Sequence, residues 1–262
     1  MKGQIVLMYH ALYEGEQEWN ALAEEDRPYA VSCATFERQL DILLAEKIPV
    51  MAPRQAATNG SVNDREVLIT FDDGHHSGFT HALPRLRERG MAAIFFVTTD
   101  FIGQRPGFSS WSDLAEMTRL GMSIQSHGKT HKFIADLTPA EAQDELRISK
   151  LTLEDRLSAP VESISFPGGR YQPRDVALAA ALGYRRCFTS EVGLNTDGQP
   201  ARRGGFRRFP IRHEMSDSAF RRIVTARWLA IRQRQMAYWA KVGIKLLFGN
   251  QLYHVIYRKL SS

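Results

Sequence analysis

Apolar residues in this chain recur in two rhythms that alternate from the N-terminus onward. Ile5 to Tyr9, Val67 to Phe71 and Ala92 to Val97 are short, near-continuous apolar runs, as expected of strands covered on both faces, and Met122 to Ser126 reads as a further strand. Between them, Thr35 to Leu44, Phe79 to Arg89 and Ser112 to Leu120 place apolar residues at three- and four-residue intervals, the spacing of a helix face. Gly90 and Gly121 follow the last two of these, where a left-handed residue ends a helix. Thr138-Pro139 opens a further long helix with a side-chain cap and a proline at its first position. Pro49 to Met51, Ser163 to Phe166 and Arg186 to Thr189 read as strands, and Pro173 to Leu182 as a helix between the last two. Such a βαβα series predicts a parallel sheet or barrel, and its chemistry belongs where strands end on one rim. That places the candidate residues after Phe71, after Ser126 and after Phe166.

A length of 262 residues suits one α/β barrel, and 44% hydrophobic with 24% charged residues excludes a disordered or fibrous class. Cys33 and Cys187 fit no metal-ligand spacing, and Cys187 reads as a buried, inert thiol. Met1 to Gln4 leads straight into the first strand, so no export signal is expected, and no apolar window is long enough to span a membrane. The expected location is therefore the cytoplasm.

Two pairs of residues change the picture. The strand Val67 to Phe71 ends in Asp72-Asp73-Gly74, and two adjacent carboxylates there repel unless a cation or proton offsets them. A turn would use the same residues, so the pair alone leaves both readings open. The strand Met122 to Ser126 ends in His127-Gly128-Lys129-Thr130-His131, and two histidines at i and i+4 can offer two nitrogens to one ion from a helical turn. Two histidines plus one carboxylate make the ligand set of an open hydrolytic site.

Thr70-Phe71-Asp72-Asp73-Gly74 followed by Ser126-His127-Gly128-Lys129-Thr130-His131 resembles the first two motifs of the polysaccharide deacetylase family, carbohydrate esterase family 4. Phe166-Pro167-Gly168-Gly169-Arg170-Tyr171 is similar to the family's proline-glycine motif, and Leu7-Met8-Tyr9-His10 to its first strand. The resemblance spans about Ile5 to Ile211. It implies an α/β fold, a distorted (β/α) barrel of about seven strands, that removes an N-acetyl group from an amino sugar in a polysaccharide or lipid-linked glycan precursor. By position it implies that Asp73, His127 and His131 hold one divalent metal ion, with Asp72 as general base. Zinc suits the donors best, with cobalt, nickel and manganese as alternatives. Pro167, Gly168 and Arg170 would line the substrate groove, with the Gly168 N–H as an oxyanion donor.

Three departures accompany that resemblance. The family arginine expected just before Pro167 is missing, because Glu162, Ser163, Ile164 and Ser165 fill the stretch. Arg207, Arg208 and Arg170 are the candidates to replace it. The family's Asp-Trp pair is not recognisable between Phe188 and Asp197. The histidine that would protonate the leaving amine is also out of place; His213 is the first candidate and His254 the second. His10 is at the end of the first strand, and His75 and His76 are assigned to the loop or groove. Alternative readings keep the metal site with a formyl or other amide substrate, or keep only a glycan-binding barrel without turnover.

The net charge of +5 is carried by the tail. Ser218 to Ser262 holds nine basic residues and no acid, which leaves the first 217 residues at −4. Val224, Trp228, Ile231, Tyr238, Trp239, Val242 and Leu246 fall near helical spacing there. The expected division is thus a barrel over 1–217 and a basic, amphipathic helical extension over 218–262. That extension either packs on the barrel or lies on an anionic membrane, at the inner face if the protein is cytoplasmic. Nothing in the sequence resembles a nucleic-acid module.

Overall fold

The computed structural model describes residues 3–53, 65–196, 205–227 and 229–240. The first apolar run forms β1 (Gly3–Tyr9), buried at every position. Two short strands, β2 (Leu12–Tyr13) and β3 (Val31–Ser32), pair with each other in parallel outside the main sheet. Then follow β4 (Arg65–Phe71), β5 (Ile94–Val97), β6 (Ser123–Ser126), β7 (Ser163–Ser165), β8 (Arg186–Phe188) and β9 (Phe209–Pro210). The expected strand at Pro49 to Met51 is reduced to one bridge between Val50 and Val67.

Seven strands hydrogen-bond in the order β8-β7-β6-β5-β4-β1-β9, all in parallel, and the sheet curls into an incomplete barrel. Phe206, just ahead of β9, bridges Phe188 of β8: its N–H donates to the Cys187 carbonyl at 2.7 Å. The segment 206–210 therefore touches both ends of the sheet. Because side chains alternate along a strand, β1, β4, β5 and β8 turn Val6, Leu68, Ile94, Phe96 and Phe188 inward to form a small inner core. The opposite faces, with Leu7, Ile69 and Phe95, join the larger core under the helices.

Those helices are α1 (Gly15–Ala21), α2 (Cys33–Ala45), α3 (Leu83–Glu88), α4 (Trp111–Arg119), α5 (Pro139–Leu157), α6 (Pro173–Ala181) and α7 (Asp217–Val224). Thr138 and Glu141 close a capping box at the start of α5, as the Thr-Pro pair led one to expect. The helix expected over Phe79 to Arg89 is split: Gly78–Ala82 is a wide π turn, and α3 starts only beyond it. Pro84 brings no N–H to bond back along the helix, which leaves room for that wider turn.

The core does not stop at residue 217. Phe220, Ile223, Val224, Ala226 and Ile231 are buried in the same cluster as the barrel helices. Residues 229–240 are helical and leave Leu229, Met236 and Trp239 exposed. Trp228 and residues 241–262, with His254, Val242, Leu246 and four of the nine cations, lie outside the described residues. Among the described residues no helix is long and apolar enough to cross a membrane.

Candidate active site

The inner-face alternation of β4 continues one residue beyond the strand. The Asp72 N–H still donates to the Tyr9 carbonyl at 2.9 Å, so Leu68, Thr70 and Asp72 share the inner face. Asp72 is thereby buried, 3% exposed, where an isolated carboxylate would be costly. Arg208 offsets it. Its Nη1 donates to Asp72 Oδ1 and its Nη2 to Asp72 Oδ2, both at 2.7 Å. The remaining N–H groups reach the Thr189 carbonyl, Thr70 Oγ1 and Ser165 Oγ, so all five donors of this fully buried guanidinium are used. Of the three arginines considered from sequence, Arg208 meets Asp72. Arg207 pairs with Glu191, and Arg170 pairs with Asp136 while its guanidinium lies over Phe133.

Ser165, on β7, fills the stretch where an arginine was looked for and carries two links of its own. Its Oγ donates to Asp72 Oδ2 at 3.1 Å, and its carbonyl accepts from His127 Nδ1 at 2.7 Å. The second bond fixes the ring so that Nε2 points at the carboxylates, as a metal-ligating imidazole is oriented by its other nitrogen.

Asp73, His127 and His131 converge. Each offers one ligand atom, and the three lie within 4.8 Å of one another. His127 Nε2 is 3.3 Å and His131 Nε2 3.2 Å from the same oxygen, Asp73 Oδ1. That buried oxygen nevertheless makes no aligned hydrogen bond. Two imidazole nitrogens and an orphaned carboxylate oxygen facing one point fit a divalent cation.

The two histidines do not reach this arrangement from a helical turn, as their i, i+4 spacing suggested. They sit on an irregular loop, where Glu145 of α5 accepts from the Lys129 and Thr130 N–H groups and from the Thr130 hydroxyl. Asp73 and His131 both take left-handed backbone angles, φ +74° and +66°. Strain of this kind costs roughly 1–3 kcal/mol per residue and gathers at functional sites.

Charge in the site is unbalanced toward the negative. Burial would raise the Asp73 carboxyl, but the imidazoles of His127 and His131 beside it and the nearby His10 hold it well below the usual carboxylate range. For Asp72, burial is likewise outweighed, here by Arg208 and His127, and its carboxyl is lowered. Burial opposes a charged His127, yet Asp72 and Asp73 raise its pKa above the ordinary value. The cluster draws in positive charge.

His10 follows β1, whose Tyr9 lies opposite Phe71 of β4, and so comes near the same carboxylates. Burial lowers its pKa, with Asp73 and Asp72 acting in the opposite sense, and its Nδ1 is shut off from solvent without a hydrogen-bond partner. His213 is exposed and packs against Trp19 at 4.6 Å and Tyr13 at 6.1 Å; none of these contacts involves Asp72, Asp73, His127 or His131. Pro167 lies beside the His127 loop, since a Cβ on Gly128 would be 3.8 Å from its Cγ. Gly168 has φ +59°, and an added Cβ would come within 2.6 Å of the Phe133 ring, so only glycine suits this turn. His75 stacks on Phe108, and His76 faces Asp113 at 3.3 Å.

A family model described as polysaccharide deacetylase matches residues 59–187. YxkH of Bacillus subtilis, named as a polysaccharide deacetylase, is 29% identical over 219 residues, which cover 82% of this chain and 74% of YxkH. The Streptococcus pyogenes deacetylase PplD, solved in complex with acetate, superposes with a TM-score of 0.72 at 26% identity, covering 82% of this chain and 94% of PplD. A polysaccharide deacetylase from Bacillus cereus superposes with a TM-score of 0.71 at 25% identity, covering 87% of this chain and 69% of its own.

Proposed function

Because this chain belongs to the polysaccharide deacetylase family, we propose that it is a metal-dependent hydrolase of the N-acetyl group on an amino sugar. The observation that carries the reading is the orphaned Asp73 Oδ1 facing two imidazole nitrogens at 3.2–3.3 Å. A divalent ion, zinc by preference for this donor set, would supply Lewis acidity to the acyl carbonyl and the attacking water. Asp72 stays ionised, held by Arg208 and Ser165, and takes the proton of that water as general base. The Gly168 N–H is the proposed second donor to the oxyanion. Acetate bound to PplD is the acid such a reaction releases, which supports acetyl over formyl. The sugar belongs to a polysaccharide or a lipid-linked precursor.

The amine leaves only if its nitrogen is protonated. We assign that proton transfer to His10 rather than His213, because β1 lies beside β4 with Tyr9 opposite Phe71, which sets His10 next to the Asp72 turn, while His213 packs on Trp19. Negative charge growing on the oxyanion favours the charged imidazole, against the burial that lowers it. A direct test compares an N-acetylated oligosaccharide with an activated aryl acetate, whose phenolate needs no proton. His10→Gln should cut amide cleavage by about 10²–10⁴-fold and ester cleavage far less. Equal losses on both substrates would remove His10 from this role.

The same proposal extends to a membrane-bound substrate. Leu229, Met236 and Trp239 are exposed on one face of the helix over 229–240, within a segment of nine cations and no acid. Such a face suits an anionic bilayer, at about 1 kcal/mol per basic residue near the headgroups. Leu229→Ser with Met236→Ser should weaken flotation with anionic liposomes; flotation unchanged from the wild type would count against the contact.

A further inference from the structure

We propose that Asp26, Asp73 and His75 form a second divalent-cation site, adjoining the first and sharing Asp73 with it. The proposal rests on the metal reading above. One donor atom from each of these three side chains lies within 4.8 Å of the others. His75 is 7% exposed, and its Nε2 has no hydrogen-bond partner. A buried imidazole nitrogen of this kind loses its hydration with nothing in return unless a ligand completes it. The ring cannot readily turn to solvent, because it stacks on Phe108 at 4.6 Å and its backbone pairs with the same residue.

Asp26 Oδ2 is 3.8 Å from His75 Nε2. That is long for a hydrogen bond and suits two ligands of one ion, each about 2.0–2.2 Å from it. The nearby cation, Arg105, lies over the rings of Phe101 and Phe108 at 4.7 and 5.1 Å. Asp26 and His75 line a cleft of about 280 Å³, so an ion has a route in and space for water ligands.

A carboxylate has two oxygens, and Asp73 turns Oδ1 to His127 and His131. It can therefore bridge two ions, as carboxylates do where paired metals clamp attacking and leaving atoms. Repulsion between neighbouring cations makes the second ion the weaker one. The donors, two carboxylates and one imidazole, suit zinc, manganese or cobalt.

Equilibrium dialysis of the full chain against zinc, with metal analysis, tests this. Wild type should saturate at two ions per chain, the second bound at least about tenfold more weakly. Asp26→Asn and His75→Phe should each bind a single ion, with the affinity of the first site and the melting temperature kept. Manganese-loaded wild type should show spin coupling in its EPR spectrum, and Asp26→Asn an uncoupled signal. Saturation of wild type at one ion, lost in His127→Ala, would refute the second site and leave the deacetylase reading standing. A second ion that survives both substitutions would also refute it, as surface binding. Zinc binding unaltered by His127→Ala would instead overturn the first site.

Discussion

Arg208→Met is expected to destabilise the fold by about 3–5 kcal/mol, the cost of leaving a buried charge without its partner. Arg208 and Asp72 are both buried, and the guanidinium bonds both carboxylate oxygens at 2.7 Å. The Met side chain fills similar volume beside Phe96, so the loss is electrostatic rather than a cavity. In the native protein, Asp72's lowered carboxyl contributes stability above the unfolded carboxylate value of about 3.9, and that stability is lost as pH falls through the depressed folded value. Without Arg208, burial prevails and the carboxyl rises. The folded state then holds a proton that the unfolded chain has released, so destabilisation should grow as pH climbs from about 4. Urea denaturation of the metal-free protein across that range checks both size and sign. A loss below about 1 kcal/mol, typical of an exposed pair, would mean the ion pair is not buried as described.

Asp72→Asn should lower acetate release by about 10²–10⁴-fold per folded, metal-loaded molecule while zinc content is unchanged. The amide keeps the shape of the side chain and a carbonyl for Arg208, but accepts no proton at neutral pH. Asp73→Asn should behave differently, because it weakens the ion itself. If Asp72→Asn loses its zinc, Asp72 is a ligand; if it keeps full activity, the base is elsewhere. Part of the Arg208 charge is left uncompensated in this variant, so turnover must be referred to the folded fraction.

The barrel was legible because its strands are long enough to show their pattern. Ile5 to Tyr9 and Val67 to Phe71 are almost wholly apolar, and each of α2 to α6 carries a cap, a proline or a terminal glycine. The strand β9 was not, since two residues ending in a proline leave no period to read. That omission hid the site's counter-ion. Arg208 comes to Asp72 from 136 residues away, brought there by the segment that joins the two ends of the sheet. Among Arg207, Arg208 and Arg170, sequence offers no means of choosing; the fold makes the choice by bringing Arg208, just ahead of β9, to Asp72 while Arg207 meets Glu191 and Arg170 meets Asp136.

The cluster of Asp73, His127 and His131 was easier to see because its residues come within five positions of the ends of β4 and β6. Their geometry was not. The histidine pair converges through a strained loop pinned by Glu145, and a residue 14 positions beyond His131 gives no local sign of that role. Ser165 looked like the mere absence of an arginine, yet it ties Asp72 to the His127 ring. His10 and His213 were equally plain in the sequence, and only the pairing of β1 with β4, Tyr9 opposite Phe71, brings the first of them near the carboxylates.

A crystal grown with zinc and measured at the zinc absorption edge tests the central claim most directly. The account predicts an anomalous peak about 2.0–2.2 Å from Asp73 Oδ1, His127 Nε2 and His131 Nε2 together. A well-ordered zinc-treated crystal with no peak among those three atoms would contradict it.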